Sequence, residues 1–115
     1  YRFISKSDQE SSLDVMKSHL PSFSKIKIHQ NYPNPFNPIT FIRYDLEWEG
    51  IVKITIYDMM GRLIKTLLNN SQTAGYKNII WNATNDRNEP VSAGLYLYTI
   101  ESGKYRQTRK MVLLK

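Results

Sequence analysis

The sequence contains no cysteine, which excludes disulfides, a thiolate nucleophile and any sulfur-ligated metal. It has only two histidines, His19 and His29, and no HExxH motif, P-loop or Gly-rich phosphate fingerprint. No apolar run approaches the ~20 residues of a membrane-spanning helix. No secretory leader is visible, but the chain opens on Tyr1 rather than Met. We therefore expect the end of a longer protein, in which a missing leader says nothing about export. Glycine is scarce, and three of the five prolines crowd into positions 33–38. Ten carboxylates oppose sixteen cations, for a net charge of +6. Carboxylates vanish after Glu101, where Lys104, Arg106, Arg109, Lys110 and Lys115 cluster. Such a face suits an anionic partner, although a solvated basic surface needs no partner at all.

What is present reads as short strands. Leu95–Ile100 is rich in aromatic and β-branched residues, Ser102-Gly103-Lys104 supplies a turn, and Tyr105–Leu114 returns. A chain that ends on an apolar stretch needs it tied down, because free termini fray. Upstream, Lys25–His29 alternates polar and apolar residues. Asn31–Pro38 excludes helix and central strand alike; we expect an extended cover loop pinned by Tyr32 and Phe36. Ile39–Leu46 places Thr40, Ile42, Tyr44 and Leu46 on one face. Ile51–Asp58 places Val52, Ile54 and Ile56 inward, with Lys53 and Thr55 outward. Asp58-Met59-Met60-Gly61 is a turn, Arg62–Leu68 a strand, Asn69–Gly75 a polar loop and Tyr76–Asn82 a further strand. About seven strands with regular turn signals predict an all-β sandwich over residues 26–115. Residues 1–25 differ: Ser7 and Glu10 have capping-box spacing, and Leu13, Met16 and Leu20 share a helical face. We expect a short helix over Asp8–His19 or a linker from an upstream domain.

Little chemistry is apparent. Asn82, Thr84, Asp86 and Asn88 alternate like calcium-loop ligands, but only one is charged, Arg87 stands where such a loop needs glycine, and Ala93 replaces the closing glutamate. A turn is the better reading. Asn69-Asn70-Ser71 and Asn82-Ala83-Thr84 match the glycosylation sequon, a pattern common by chance. Tyr44, Tyr57, Trp81, Tyr96, Tyr98 and Tyr105 interleave with cations, as on some nucleic-acid or sugar-binding sheets, yet alternation places many of them in the core. We expect no catalysis, no cofactor, no metal and no nucleic-acid partner.

Five blocks carry a resemblance, in order along the chain. They are Asn34-Pro35-Phe36-Asn37-Pro38 with Thr40 and Tyr44, then Val52–Arg62 with Asp58, Gly61 and Arg62, then Gly75 and Trp81, then Gly94-Leu95-Tyr96, and last Lys110-Met111-Val112-Leu113-Leu114-Lys115. Residues 30–115 resemble the type A C-terminal sorting domain of the type IX secretion system. The resemblance implies an immunoglobulin-like sandwich, similar also to the flagellar hook-capping protein's small β domain. It implies a tag on an upstream cargo domain, read in the periplasm by the outer-membrane translocon and its shuttle proteins. A sortase-like peptidase then removes the tag in a linker, here within residues 1–29, and the cargo reaches the cell surface or the medium. Ala83 and Asn88 depart from positions often glycine in the family; Asn88 tolerates a left-handed backbone, and Ala83 is expected in an ordinary one. On this reading Gly61, Arg62 and Lys110–Lys115 form the recognised surface of a monomeric domain. The alternative is an accessory immunoglobulin-like or fibronectin-like domain that holds glycan or a protein partner for its parent.

Overall fold

The computed structural model describes residues 26–114. The expected helix or linker over residues 1–25, and Lys115, lie outside the described residues. Seven strands form: β1 (Ile26–Ile28), β2 (Thr40–Leu46), β3 (Gly50–Asp58), β4 (Leu63–Gln72), β5 (Gly75–Trp81), β6 (Gly94–Ser102) and β7 (Tyr105–Leu113). They pair antiparallel into a three-stranded sheet, β1-β2-β5, and a four-stranded sheet, β4-β3-β6-β7. No helix occurs among the described residues. This is an immunoglobulin-like β-sandwich, as the strand pattern predicts.

The core follows from alternation. On β2, Thr40, Ile42, Tyr44 and Leu46 are buried; on β3, Val52, Ile54 and Ile56 face them from the second sheet. Trp81, Tyr96, Tyr98, Ile100, Met111 and Leu113 complete the layer. Period-two patterning lets each sheet bury one face against the other, the arrangement that removes most apolar area from water.

The structure corrects some of these expectations and qualifies others. The polar run Asn69–Gln72 is not loop but the end of β4, where Asn69, Asn70, Ser71 and Gln72 pair with Lys53, Val52, Ile51 and Gly50. Ladder pairing to a long neighbour overrides the weak strand preference of asparagine. Thr55 points outward yet is 1% exposed, because Thr66, Thr99 and Thr108 flank it in a row across all four strands. The proline loop is not extended: Tyr32 and Phe41 exchange backbone hydrogen bonds of 3.0 and 2.9 Å, which folds it back on β2. Phe36 is buried as expected, but the Tyr32 side chain is 70% exposed, so Tyr32 holds the loop through its backbone alone. Finally, Ala83 sits at φ 63°, in the left-handed region and not in an ordinary conformation, whereas Asn88 takes φ 64° as expected.

The two ends of the sandwich differ. One carries the short connections Glu47–Glu49, Thr73–Ala74 and Gly103–Lys104. The other carries the 29–39 loop, the 82–93 loop, the Asp58–Arg62 turn and the last residues of β7.

Candidate functional site

The proline-rich loop closes the free edge of the last strand. An edge strand presents unpaired N–H and C=O groups that must be satisfied or covered. Phe36 N–H donates to the Val112 carbonyl at 3.0 Å, and Leu114 N–H donates to the Phe36 carbonyl at 2.8 Å. Val112 N–H donates to Asn34 Oδ1 at 2.9 Å, and Gln30 Nε2 donates to the Lys110 carbonyl at 2.9 Å. The last residues of the chain are thereby tied to a loop 78 positions away.

Beneath this seam lies an aromatic stack. The Phe36 and Trp81 ring centroids are 5.8 Å apart and tilted by 56°; Trp81 and Tyr96 meet edge to face at 5.4 Å. Such geometries are favourable beyond the area buried. Each polar handle is satisfied: Trp81 Nε1 donates to the Thr84 carbonyl at 2.9 Å, and Tyr96 Oη to the Ser92 carbonyl at 2.6 Å. Asn31, and Tyr98 in a role that its place among the aromatics did not suggest, anchor the loop at its root. Tyr98 Oη accepts from Asn31 N–H and donates to the His29 carbonyl, both at 2.9 Å. Asn31 Nδ2 donates to Thr40 Oγ1, which in turn donates to the Pro33 carbonyl. An asparagine inside a proline-rich loop was the available signal, since its side chain can satisfy backbone groups that prolines leave without ladder partners. Burial pushes the Tyr98 phenol up, opposed by the Asn31 N–H and the Arg109 charge.

The Asp58–Arg62 turn stands at the same end. Asp58 Oδ1 accepts from Met60 N–H and Arg62 N–H, both at 2.9 Å, and Oδ2 accepts from Arg62 Nε at 2.8 Å. The Arg62 N–H does most to hold the Asp58 carboxyl below the usual carboxylate range; desolvation opposes it, and the Arg62 side chain and Met60 N–H add to the lowering. Gly61 takes φ 85°, a conformation that side chains disfavour. Arg62 keeps an exposed guanidinium. Between this turn and the Pro90–Tyr96 segment opens a cleft of about 470 Å³.

The oxygen-rich loop holds no cation site, because an ammonium occupies it. Lys65 Nζ donates to Thr84 Oγ1, the Asn85 carbonyl and Asn88 Oδ1 at 3.2, 3.3 and 3.2 Å. Asp86 caps the edge of β4 instead: its Oδ1 accepts from Thr66 N–H and its own N–H donates to the Ile64 carbonyl. No cluster of three metal-ligating side chains occurs among the described residues.

The singled-out residues thus converge in part. Asn34–Pro38, Thr40, Asp58, Gly61, Arg62, Trp81, Gly94, Tyr96 and the β7 end share the loop-bearing end of the sandwich. Gly75 pairs with Leu46 at the opposite end, and Tyr44 lies mid-strand beside Lys77. Within the terminal block, Met111 and Leu113 are 0% and 1% exposed, so their side chains belong to the core. Lys110 is exposed, Val112 half-buried on the outer face, and Leu114 50% exposed. Gly61 and Lys110 stand on opposite sides of the four-stranded sheet, separated by β3 and β6.

Comparisons with known proteins agree with the fold. The latent form of PorU from Porphyromonas gingivalis superposes with a TM-score of 0.63 at 21% identity, over 79% of this chain and 9% of that one. PorZ, a surface component of the type IX secretion system of the same organism, gives 0.52 at 20% identity, over 81% of this chain and 12% of that one. FlgD from Xanthomonas campestris, the flagellar hook-capping protein, gives 0.54 at 17% identity, over 88% and 74%. Identities this low establish the shared fold, and the chain spans only a small part of the first two proteins. No curated protein matches the sequence. The family described as the secretion system C-terminal sorting domain matches residues 30–114, nearly the whole described sandwich, and the chain therefore belongs to that family.

Proposed function

We propose that this domain is the C-terminal address of an exported protein, read in folded form by the outer-membrane type IX translocon and its shuttle proteins. The cargo precedes residue 26, and a sortase-like peptidase separates it from the tag within residues 1–29. The cargo passes through the periplasm to the cell surface or the medium. The observation that carries this reading is the family match over residues 30–114. The pinned terminal strand supports it: Lys110, Val112 and Leu114 are held in one geometry at the surface by Met111 and Leu113 below and Asn34–Phe36 beside. With Gly61, Arg62 and Lys115 they form the read surface, while Met111 and Leu113 act by setting the strand's position. The domain brings an address and no chemistry of its own.

Deleting the last six residues would remove core side chains along with any signal, so charge reversal is the cleaner test. The chain is fused behind a signal peptide and a fluorescent reporter in a bacterium with a type IX system. Lys110→Glu with Lys115→Glu should hold the reporter in the periplasm while the domain melts within a few degrees of the wild type. Surface delivery by the double variant would show that the charged end is not read.

One observation favours a second reading. On the outer face of the three-stranded sheet, Tyr32 and Phe41 border an open trough of about 460 Å³ with Arg43 and Asn78. Aromatic rims beside hydrogen-bonding groups suit sugar rings. A glycan array probed with the isolated chain tests this accessory binding role; an empty array would remove it.

A further inference from the structure

The outer face of the four-stranded sheet is divided by its threonine row. Thr66, Thr55, Thr99 and Thr108 lie side by side across β4, β3, β6 and β7. Thr99 Oγ1 and Thr108 Oγ1 are 2.9 Å apart, and Thr55 is sealed beneath its neighbours. On the side of the short turns the next row is polar: Asn69, Lys53, Glu101 and Arg106. On the side of the loops the next row is apolar on three strands, Leu63, Tyr57 and Leu97, and ends in Lys110 on β7. Leu63 pairs with Tyr57, Tyr57 with Leu97, and Leu95 with Val112. Leu63 is 53% exposed and Leu95 44%. Met60, 79% exposed, stands at the tip of the adjoining turn, where an unbranched thioether can adapt to a partner.

Two cations flank this patch. Arg62 flanks it from the turn, and Lys110, paired with Leu97, flanks it from β7. The nearby carboxylates are engaged within the domain: Asp58 accepts from Met60 N–H, Arg62 N–H and Arg62 Nε, and Asp86 accepts from Thr66 N–H on the β4 edge. Contiguous apolar surface with a charged rim marks a protein interface rather than scattered exposure.

We propose that the secretion machinery docks on this apolar half-face, Leu63, Tyr57, Leu97, Leu95 and Val112, through an apolar surface of its own bordered by carboxylates. The inference rests on the sorting reading and deepens it. What is recognised is a surface assembled from four strands, to which the terminal block contributes Lys110 and Val112. The partner's carboxylates meet Arg62 and Lys110 while its apolar centre covers the leucines, a division in which charge sets register and burial sets affinity.

The test uses the same reporter fusion of the whole chain, with melting of each purified domain as the folding control. Leu63→Asn with Leu95→Asn should cut surface delivery about tenfold or more, a loss typical of central interface side chains. Ile51→Asn, at a residue more exposed still on the same face but beyond the threonine row, should export like the wild type. If the double variant melts early, Met60→Asn replaces it. Leu95→Lys should be exported better than Leu95→Asp, which a purely structural role would not produce. Normal export of the folded double variant overturns the proposed surface and leaves the sorting reading standing. Equal loss from Ile51→Asn also overturns it. A wild-type fusion trapped in the periplasm removes the sorting reading and this inference together.

Discussion

The two ends of the sandwich are built by different rules. At the plain end, strands turn back through connections of two or three residues, and the side chains there are largely exposed, as Trp48 and Tyr76 are. At the other end, two long loops fold over strand edges: Asn34–Phe36 closes β7, and Asp86 closes β4. Residues far apart in sequence meet there, in the stack Phe36–Trp81–Tyr96. The difference teaches where a small domain can carry an address. A local hairpin offers only its own few residues, whereas a seam between distant segments presents one geometry that exists solely in the folded state.

The comparison is broken most directly at Phe36. Phe36→Ala removes a buried ring and one partner of Trp81, and should cost about 3 kcal/mol or more. Trp48→Ala at the plain end should cost about 0.5 kcal/mol or less. Urea denaturation of both variants checks this, and similar losses at the two positions would erase the distinction. Asn34→Ala takes the acceptor from Val112 N–H at an accessible edge and should cost about 1 kcal/mol, with faster amide exchange at Val112. If exchange at Val112 is unchanged, the loop is not what protects the edge.

A smaller effect runs the other way. Ala83 occupies a left-handed conformation that costs an L-residue about 1–2 kcal/mol, partly offset by the extra chain entropy of glycine. Ala83→Gly should therefore stabilise the domain by about 0.5 kcal/mol, read as a higher urea midpoint. A lower midpoint would mean that the buried methyl outweighs the strain.

The pH limits sharpen the same contrast. Burial raises the phenols of Tyr44, Tyr96 and Tyr98, with Asp58 adding to the rise at Tyr96. An unfolded chain loses these protons first, so their contribution is intact below about pH 10 and falls as pH rises through the folded values. Asp58 is shifted down, so its contribution is present above about pH 4 and fades as pH falls through its lower folded value. A melting series should show an alkaline decline, and an acid-side slope that Asp58→Asn reduces. An identical acid slope in that variant would remove Asp58 from the account.

Much of the fold was legible because alternation has a period of two and breaks at turns. The inward faces of β2 and β3 follow from Ile42, Tyr44, Val52 and Ile54 alone. The Asp58–Gly61 turn follows from a carboxylate that can bond backbone N–H groups and a glycine that can take positive φ. The strand at Asn69–Gln72 was not legible, since its residues prefer loops and only the neighbouring length of β3 recruits them. The positive φ of Ala83 was hidden for a related reason: nothing in an alanine announces a conformation that its surroundings impose.

The site divides in the same way. The terminal block was visible as a run of apolar and basic residues, but a linear reading treats Met111, Val112 and Leu113 alike. Pairing with β6 is what sends Met111 and Leu113 into the core and leaves Val112 beside Leu95. By itself the sequence determined the strands, the absence of cysteine chemistry and the membership in a sorting family, because these depend on local pattern and composition. Only the tertiary structure decided that a proline-rich loop seals the last strand, that Lys65 fills the oxygen-rich loop, and that a threonine row divides the outer face. Those depend on contacts between segments tens of residues apart, which register and sheet order create and no local pattern contains.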